Sequence, residues 1–188
     1  MNVYKSGLAS GTSGAEQTSL ENFELKETVN EIANKGKRTY PGGRTYLEYV
    51  ALAKDPAHGG KVSYQTRKER SIVLNLEKIG KLGHVIRDPQ ANNGADFIDT
   101  KTGISWDVKS PVNRPAGHTS IRKGAFDAKV MMRKINKEIA NNHNVILDTR
   151  RITKFQISEL QKAINESGIS DRIIWYTREV KRKCVKTT

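Results

Sequence analysis

The decisive stretch is Gly94-Ala95-Asp96-Phe97-Ile98-Asp99-Thr100-Lys101-Thr102-Gly103-Ile104-Ser105-Trp106-Asp107-Val108-Lys109. It reads as a β-hairpin, with Phe97 to Thr100 and Ile104 to Lys109 as arms and Lys101-Thr102-Gly103 as the turn. Side chains two apart on a strand share a face, so Asp107 and Lys109 stand together, and pairing across the turn brings Asp96 roughly opposite Asp107. A slip of one residue would turn Asp96 away and let Asp99 compete; Asp99, nearer the turn, reads as surface. Two converging carboxylates with neither a shared proton nor a cation repel, so the pattern suggests a hard divalent cation, with the lysine alongside for anionic chemistry. The ordinary alternatives are a solvated, ion-paired strand face for Asp107 and Lys109, and a turn-forming residue for Asp96.

Helices and strands follow on either side. Before the hairpin, Thr66 with Glu69 forms a capping pair opening a helix whose apolar stripe is Ile72, Val73, Leu76, Ile79 and Leu82, with Gly83 placed to end it. Glu69, three and four residues before Ile72 and Val73, belongs to that inward stripe, or simply completes the cap. His84 to Arg87 reads as a strand ended by Asp88-Pro89. After the hairpin, Pro111 and Pro115 bound a loop. Ala125 to Asn142 reads as a long helix on Ala128, Met131, Met132, Ile135 and Ile139, Val145-Ile146-Leu147 as a short strand, Thr153 with Gln156 as the cap of a helix closed by Gly168, and Arg172 to Thr177 as a last strand before a basic tail, Arg178 to Lys186. Farther upstream, residues 1–17 are a Gly/Ser/Thr-rich lead, Thr18 with Glu21 caps a short amphipathic helix running to Gly36, and Thr45 with Glu48 caps another beyond the break at Pro41-Gly42-Gly43. This order predicts an α/β fold, a central mixed β-sheet flanked by helices, with an N-terminal helical extension. The expected division is residues 1–62 as lead and helical segment and residues 63–188 as the domain.

Of a net charge of +13 over 188 residues, residues 1–64 hold 8 basic and 7 acidic side chains and residues 65–188 hold 25 and 13. The half with the hairpin thus carries nearly all the excess, as expected of a chain that sits on a polyanion, with nucleic acid the first candidate. Cys184 is the single cysteine, which excludes an internal disulfide and a cysteine-rich zinc site. No apolar run approaches a membrane span, and Met1 to Gln17 lacks the pattern of a signal peptide, so export is expected to depend on a larger protein upstream.

A helix bearing glutamate, a strand, Gly-Ala-Asp-Phe-Ile entering a hairpin and Trp-Asp-Val-Lys-Ser-Pro leaving it, followed by a helix and an apolar strand, resembles the PD-(D/E)XK nuclease superfamily. Gly94 to Phe97, Trp106 to Pro111, Lys129 and Val145 to Asp148 are similar, more narrowly, to the C-terminal toxin domain of contact-dependent growth-inhibition proteins, several of which are tRNA nucleases. The resemblance covers roughly residues 63–176, with Asp107 where glutamate is commoner and Ala95-Asp96 in place of the proline-aspartate pair. It implies a restriction-endonuclease-like α-β-β-β-α-β core in which Asp96, Asp107, the Val108 carbonyl and Glu69 bind Mg²⁺ or Mn²⁺, and Lys109 orients the attacking water and offsets charge on the phosphorane. Two adjacent carboxylates oppose the fall in pKa that a lysine base would need, so positioning and charge stabilisation are its expected role.

Expected substrate contacts are Arg114, His118, Arg122, Lys123, Lys129 and Arg133, neutralising phosphates. The resemblance further implies a toxin secreted as part of a larger protein and delivered into the cytoplasm of a neighbouring bacterium, tRNA as substrate, and a cognate immunity protein as partner; residues 1–62 are then an entry or processing segment. Three rival readings are a DNA endonuclease with the same metal site, a metal-independent ribonuclease using His118 beside Thr119 and Ser120, and a non-catalytic nucleic-acid-binding module.

Overall fold

The computed structural model describes residues 39–114 and 124–186, with side chains described through residue 183. The helix expected over residues 18–36, and His118, Arg122 and Lys123, lie outside the described residues. The sheet belongs to a compact unit, Tyr40–Thr188, which also takes in residues 40–62. The tie is Arg44, nearly inaccessible, which donates to both carboxylate oxygens of Glu77 at 2.9 Å and to the Val85 carbonyl at 2.7 Å.

Helix α1 (Tyr46–Ala51) starts at the Thr45/Glu48 capping box. Helix α2 (Tyr64–Lys78) begins three residues earlier than the sequence predicts: Ser63 is its N-cap and Thr66 its reciprocal partner. The two four-residue patterns overlap, and the earlier one wins because Thr66 Oγ1 can accept from the Ser63 N–H at 2.9 Å, as a glutamate would. Glu69 is thereby freed from capping. The helix also ends earlier than expected. Gly80, at φ 70°, takes the left-handed position there, while the N–H of Gly83 donates to Asp99 Oδ2 at 2.8 Å. A Cβ on Gly83 would lie 2.5 Å from Asp99 Oδ1. Asp99 is accordingly buried, not at the surface.

Strands β1 (Val85–Arg87), β2 (Phe97–Asp99), β3 (Ser105–Lys109), β4 (Asn144–Asp148) and β5 (Ile173–Tyr176) lie side by side in sequence order. The first two pairings are antiparallel and the last two parallel, which gives the expected mixed sheet. Helix α3 (Ala128–Ala140) connects β3 to β4, and α4 (Lys154–Glu166), with the expected Thr153/Gln156 capping box, connects β4 to β5. The strand period sorts the core into two layers. Ile72, Val73 and Leu76 of α2 pack with Val85, Phe97, Trp106, Val108, Ile146 and Tyr176 on one face. Met131 and Ile135 of α3 and Leu160 and Ile164 of α4 pack with Val145, Leu147 and Ile173 on the other. Residues 178–186, read as a tail, form a helix, α5 (Arg178–Lys186), whose Val180 packs on the α2 face. Among the described residues no helix is long and apolar enough to cross a membrane.

Candidate active site

The hairpin pairs Phe97 with Trp106 and Ile98 with Ser105. Asp96 stands one residue before that ladder. Its backbone N–H donates to the Trp106 carbonyl at 3.1 Å, and its Oδ2 accepts the Val108 N–H at 2.8 Å, so the Asp96 carboxylate is held against the segment Trp106 to Val108. The loop that delivers it is fixed by buried Asp88, which accepts the N–H groups of Gln90 and Ala95, both at 2.9 Å. Gly94 lies so close to the Gln90 carbonyl that a Cβ would stand 2.6 Å from it.

In β3, Trp106 and Val108 point into the α2-side core, and the alternate residues Asp107 and Lys109 share the opposite face. Lys109 Nζ is 2.7 Å from Asp107 Oδ1 and 2.7 Å from Glu138 Oε1. The second oxygen of Glu138 faces His143 Nδ1 at 3.2 Å. Glu138 and His143 escaped the sequence reading. The available signal was the spacing of Met131, Ile135 and Glu138, which puts a carboxylate on the inward line of an amphipathic helix, as their shared burial in α3 shows.

Glu69 reaches the same region from α2. Its Oε2 accepts from Arg87 at 3.1 Å and its Oε1 from Gln65 at 3.0 Å, and the other arm of Arg87 lies 3.2 Å from Asp96 Oδ1. Arg87 thus bridges two of the three expected carboxylates, a role nothing in the sequence near it advertises. Glu69, Arg87 and Asp96 line a cavity of about 530 Å³, together with Asp55 and His58, themselves paired at 2.8 Å.

Burial pushes the Asp96 carboxyl up to about 8, with the negative charges of Asp107 and Glu69 adding to the effect. Burial likewise raises Glu69 and Asp107 above the usual carboxylate range, in spite of their cationic neighbours. Burial pushes Lys109 down, but Asp107 and Glu138 outweigh it, and its pKa ends above the ordinary lysine value. Lys109 is therefore an ammonium at neutral pH and not a base. Glu138 is opposed by burial yet held below the usual value by Lys109 and His143.

Of the expected site residues, Asp96 is bonded to the Val108 N–H, Glu69 is joined to Asp96 through Arg87, and Asp107 pairs with Lys109. Arg114, Lys129 and Arg133 are exposed, and none has an ion-pair partner among the described residues. Lys129 and Arg133 precede Glu138 by nine and five residues, about 14 and about 8 Å along the helix axis at the standard rise, and lie off its inward line. Among the described residues, no group of three His, Cys, Asp or Glu side chains is close enough together to hold a metal ion. Arg87 and Lys109 supply the positive charge instead. The chemistry of the donors nevertheless fits a hard cation: these are all-oxygen groups whose proton affinity is raised first by burial and, at Asp96, further by the charges of Asp107 and Glu69, and such a cation would offset both effects.

Compared with known protein families, curated proteins and solved structures, the chain matches none.

Proposed function

We propose that this chain is a metal-dependent endonuclease that hydrolyses phosphodiester bonds, with tRNA as its substrate. The observation that carries the reading is the Lys109 ammonium held 2.7 Å from Asp107, on a strand whose Val108 N–H binds Asp96, with Glu69 joined to Asp96 through Arg87 and both carboxyls of raised pKa. A protonated, positioned amine beside ionisable oxygens suits a reaction in which negative charge grows on a phosphoryl group. Asp96, Asp107, the Val108 carbonyl and Glu69 would hold Mg²⁺ or Mn²⁺. Bound there, the cation supplies Lewis acidity toward a phosphate oxygen and a lowered pKa for a water. Lys109 orients the phosphate and stabilises its charge, Glu138 holds Lys109 in place, and Arg87 balances Glu69 and Asp96 while the carboxylates carry no cation.

The choice of tRNA over DNA rests on the resemblance to growth-inhibition toxin domains, as do delivery into a neighbouring bacterium, the entry role of residues 1–62 and a cognate immunity protein. The concentration of positive charge in residues 65–188 supports both a nucleic-acid substrate and an acidic inhibitor.

Incubating the purified chain with total tRNA and with plasmid DNA, each with Mg²⁺ and with chelator, tests the proposal. The expected result is tRNA cleavage with Mg²⁺, lost in chelator and in Asp107→Ala. Full activity in chelator overturns it in favour of a metal-independent ribonuclease. Cleavage of DNA alone overturns the substrate and leaves the chemistry.

A further inference from the structure

A second cavity, of about 890 Å³, opens between the first half of α2, the segment after β4 and helix α5. Seven of its nine lining residues are lysine or arginine, and none is acidic. Such crowding of like charge is unfavourable unless something anionic answers it. Part of the answer lies beneath the floor. Asp148, wholly buried, pairs with Lys68 at 2.8 Å and with Arg150 Nε at 2.6 Å, and these two cations hold its carboxyl below the usual range against the pull of burial.

That leaves Arg67, Arg151, Arg178, Lys181 and Arg182, all exposed around one concavity, with no ion pair among the described residues; Arg178 Nε donates to the Arg150 carbonyl at 3.1 Å, which leaves the other four cations for a ligand. They come from three separate elements, so the fold and not one basic run of sequence gathers them. None belongs to the set of phosphate contacts expected from sequence. Tyr64, 73 % exposed, lines the same cavity and offers a free aromatic ring beside the cations. Cations along a groove with an exposed ring are what an unpaired nucleic-acid strand requires, the former for its backbone and the latter for a base. An acidic protein surface would use the charges and leave Tyr64 without a task.

The groove also adjoins the candidate active site. Ser110, which follows Lys109, has its Oγ 3.4 Å from Asp148 Oδ2, the same carboxylate oxygen that pairs with Lys68, and Lys68 precedes Glu69 in α2.

We infer that this basic cavity binds a single-stranded segment of nucleic acid, with Arg67, Arg151, Lys181 and Arg182 on its phosphates and Tyr64 stacked on a base. The substrate class rests on the nuclease reading; the binding is measurable without cleavage. The test is fluorescence anisotropy of the full chain, in chelator, with a labelled 2′-O-methyl oligonucleotide that resists hydrolysis, across a salt series. Arg151→Ala with Arg182→Ala is expected to weaken binding at least about tenfold and to flatten the salt slope by roughly 1.4, at about 0.7 per phosphate contact on a single strand. Tyr64→Ala is expected to weaken binding at least about fivefold with the salt slope unchanged. Melting temperatures equal to the parent's establish that these exposed substitutions leave the fold intact, and Arg67→Gln provides an independent single change with the same expected direction.

Affinity and slope unchanged in all variants overturn the inference. Polyglutamate competing as well as unlabelled oligonucleotide, with Tyr64→Ala silent, overturns it in favour of an acidic protein partner. Groove-dependent binding by a chain that cleaves no nucleic acid upholds the groove and sinks the nuclease reading. Cleavage with groove variants that bind normally does the reverse.

Discussion

Lys109 Nζ lies 2.7 Å from Glu138 Oε1, an ion pair joining the second arm of the hairpin to the inward face of the helix that follows it. With Asp107 on its other side, the ammonium is held between two carboxylates, and only Glu138 comes from a different element. Glu138→Gln keeps the shape and removes the charge. The pair is partly exposed, so the stability cost is expected to be about 1 kcal/mol or less. If Lys109 must be positioned for charge stabilisation, tRNA cleavage should fall by roughly ten- to a hundredfold, mostly in kcat. A fall in KM-linked terms alone, or unchanged kinetics, would show that Glu138 is only structural.

Asp96 makes stability depend on pH in an unusual direction. Its carboxyl, raised to about 8 in the folded chain, keeps a proton that the unfolded chain has released from about pH 4 upward. Between those values the folded state binds more protons, so stability falls as pH rises and the loss ends above pH 8. Glu69 and Asp107, also raised, add to the same slope. Glu138 and Asp148 are held low and act in the acid range, where their contribution is lost as pH falls. Denaturant titrations at pH 5 and pH 8 in chelator should show the parent less stable at pH 8 and Asp96→Asn with a clearly smaller difference. An identical pH dependence in the two proteins would refute the assignment.

Much of this architecture was legible because it is local. The hairpin follows from alternation on either side of Lys101-Thr102-Gly103, and the caps at Thr45 and Thr153 from residues three apart, so distant packing could not overrule them. The start of α2 was misread because Ser63–Thr66 and Thr66–Glu69 are both valid capping patterns, and only the competition between them decides. Helix α5 was missed because five of its nine residues are lysine or arginine, so the run reads as a basic tail, although Val180 packs on the α2 face. Asp96, Asp107 and Lys109 could be grouped from the hairpin alone. Arg87, Glu138 and His143 could not. Glu138 meets Lys109 across 29 residues and Arg87 meets Glu69 across 18, contacts that depend on how helices settle on the sheet and leave no local trace.

Gly83 offers a test of the packing that holds the hairpin turn. A methyl group there would come within 2.5 Å of Asp99 Oδ1 and 2.6 Å of Lys101 Cβ, while the backbone is not in the left-handed region, so any effect of Gly83→Ala is steric. Asp99 also accepts the Gly83 and Lys101 N–H groups and cannot withdraw without leaving them unpaired. The expected loss is about 1–3 kcal/mol in chemical denaturation. A neutral substitution would mean that the turn relaxes freely.

Arg87 bears most directly on the proposed metal site. Its guanidinium bridges Glu69 and Asp96, so it compensates the charges that a divalent cation would compensate. Arg87→Met leaves those carboxylates without a cation in a buried setting and is expected to lower stability by about 3–5 kcal/mol at pH 8 in chelator. The loss should be smaller at pH 6, where Asp96 holds its proton. If Mg²⁺ binds the folded chain alone, as the proposed function requires, it stabilises by mass action, so saturating Mg²⁺ should raise the melting temperature of Arg87→Met more than that of the parent, in which arginine competes for the same oxygens. Asp96→Asn introduced alongside Arg87→Met should abolish most of that gain. Equal, small shifts in all three proteins would mean that these carboxylates do not share a cation, and that Arg87 is their permanent partner.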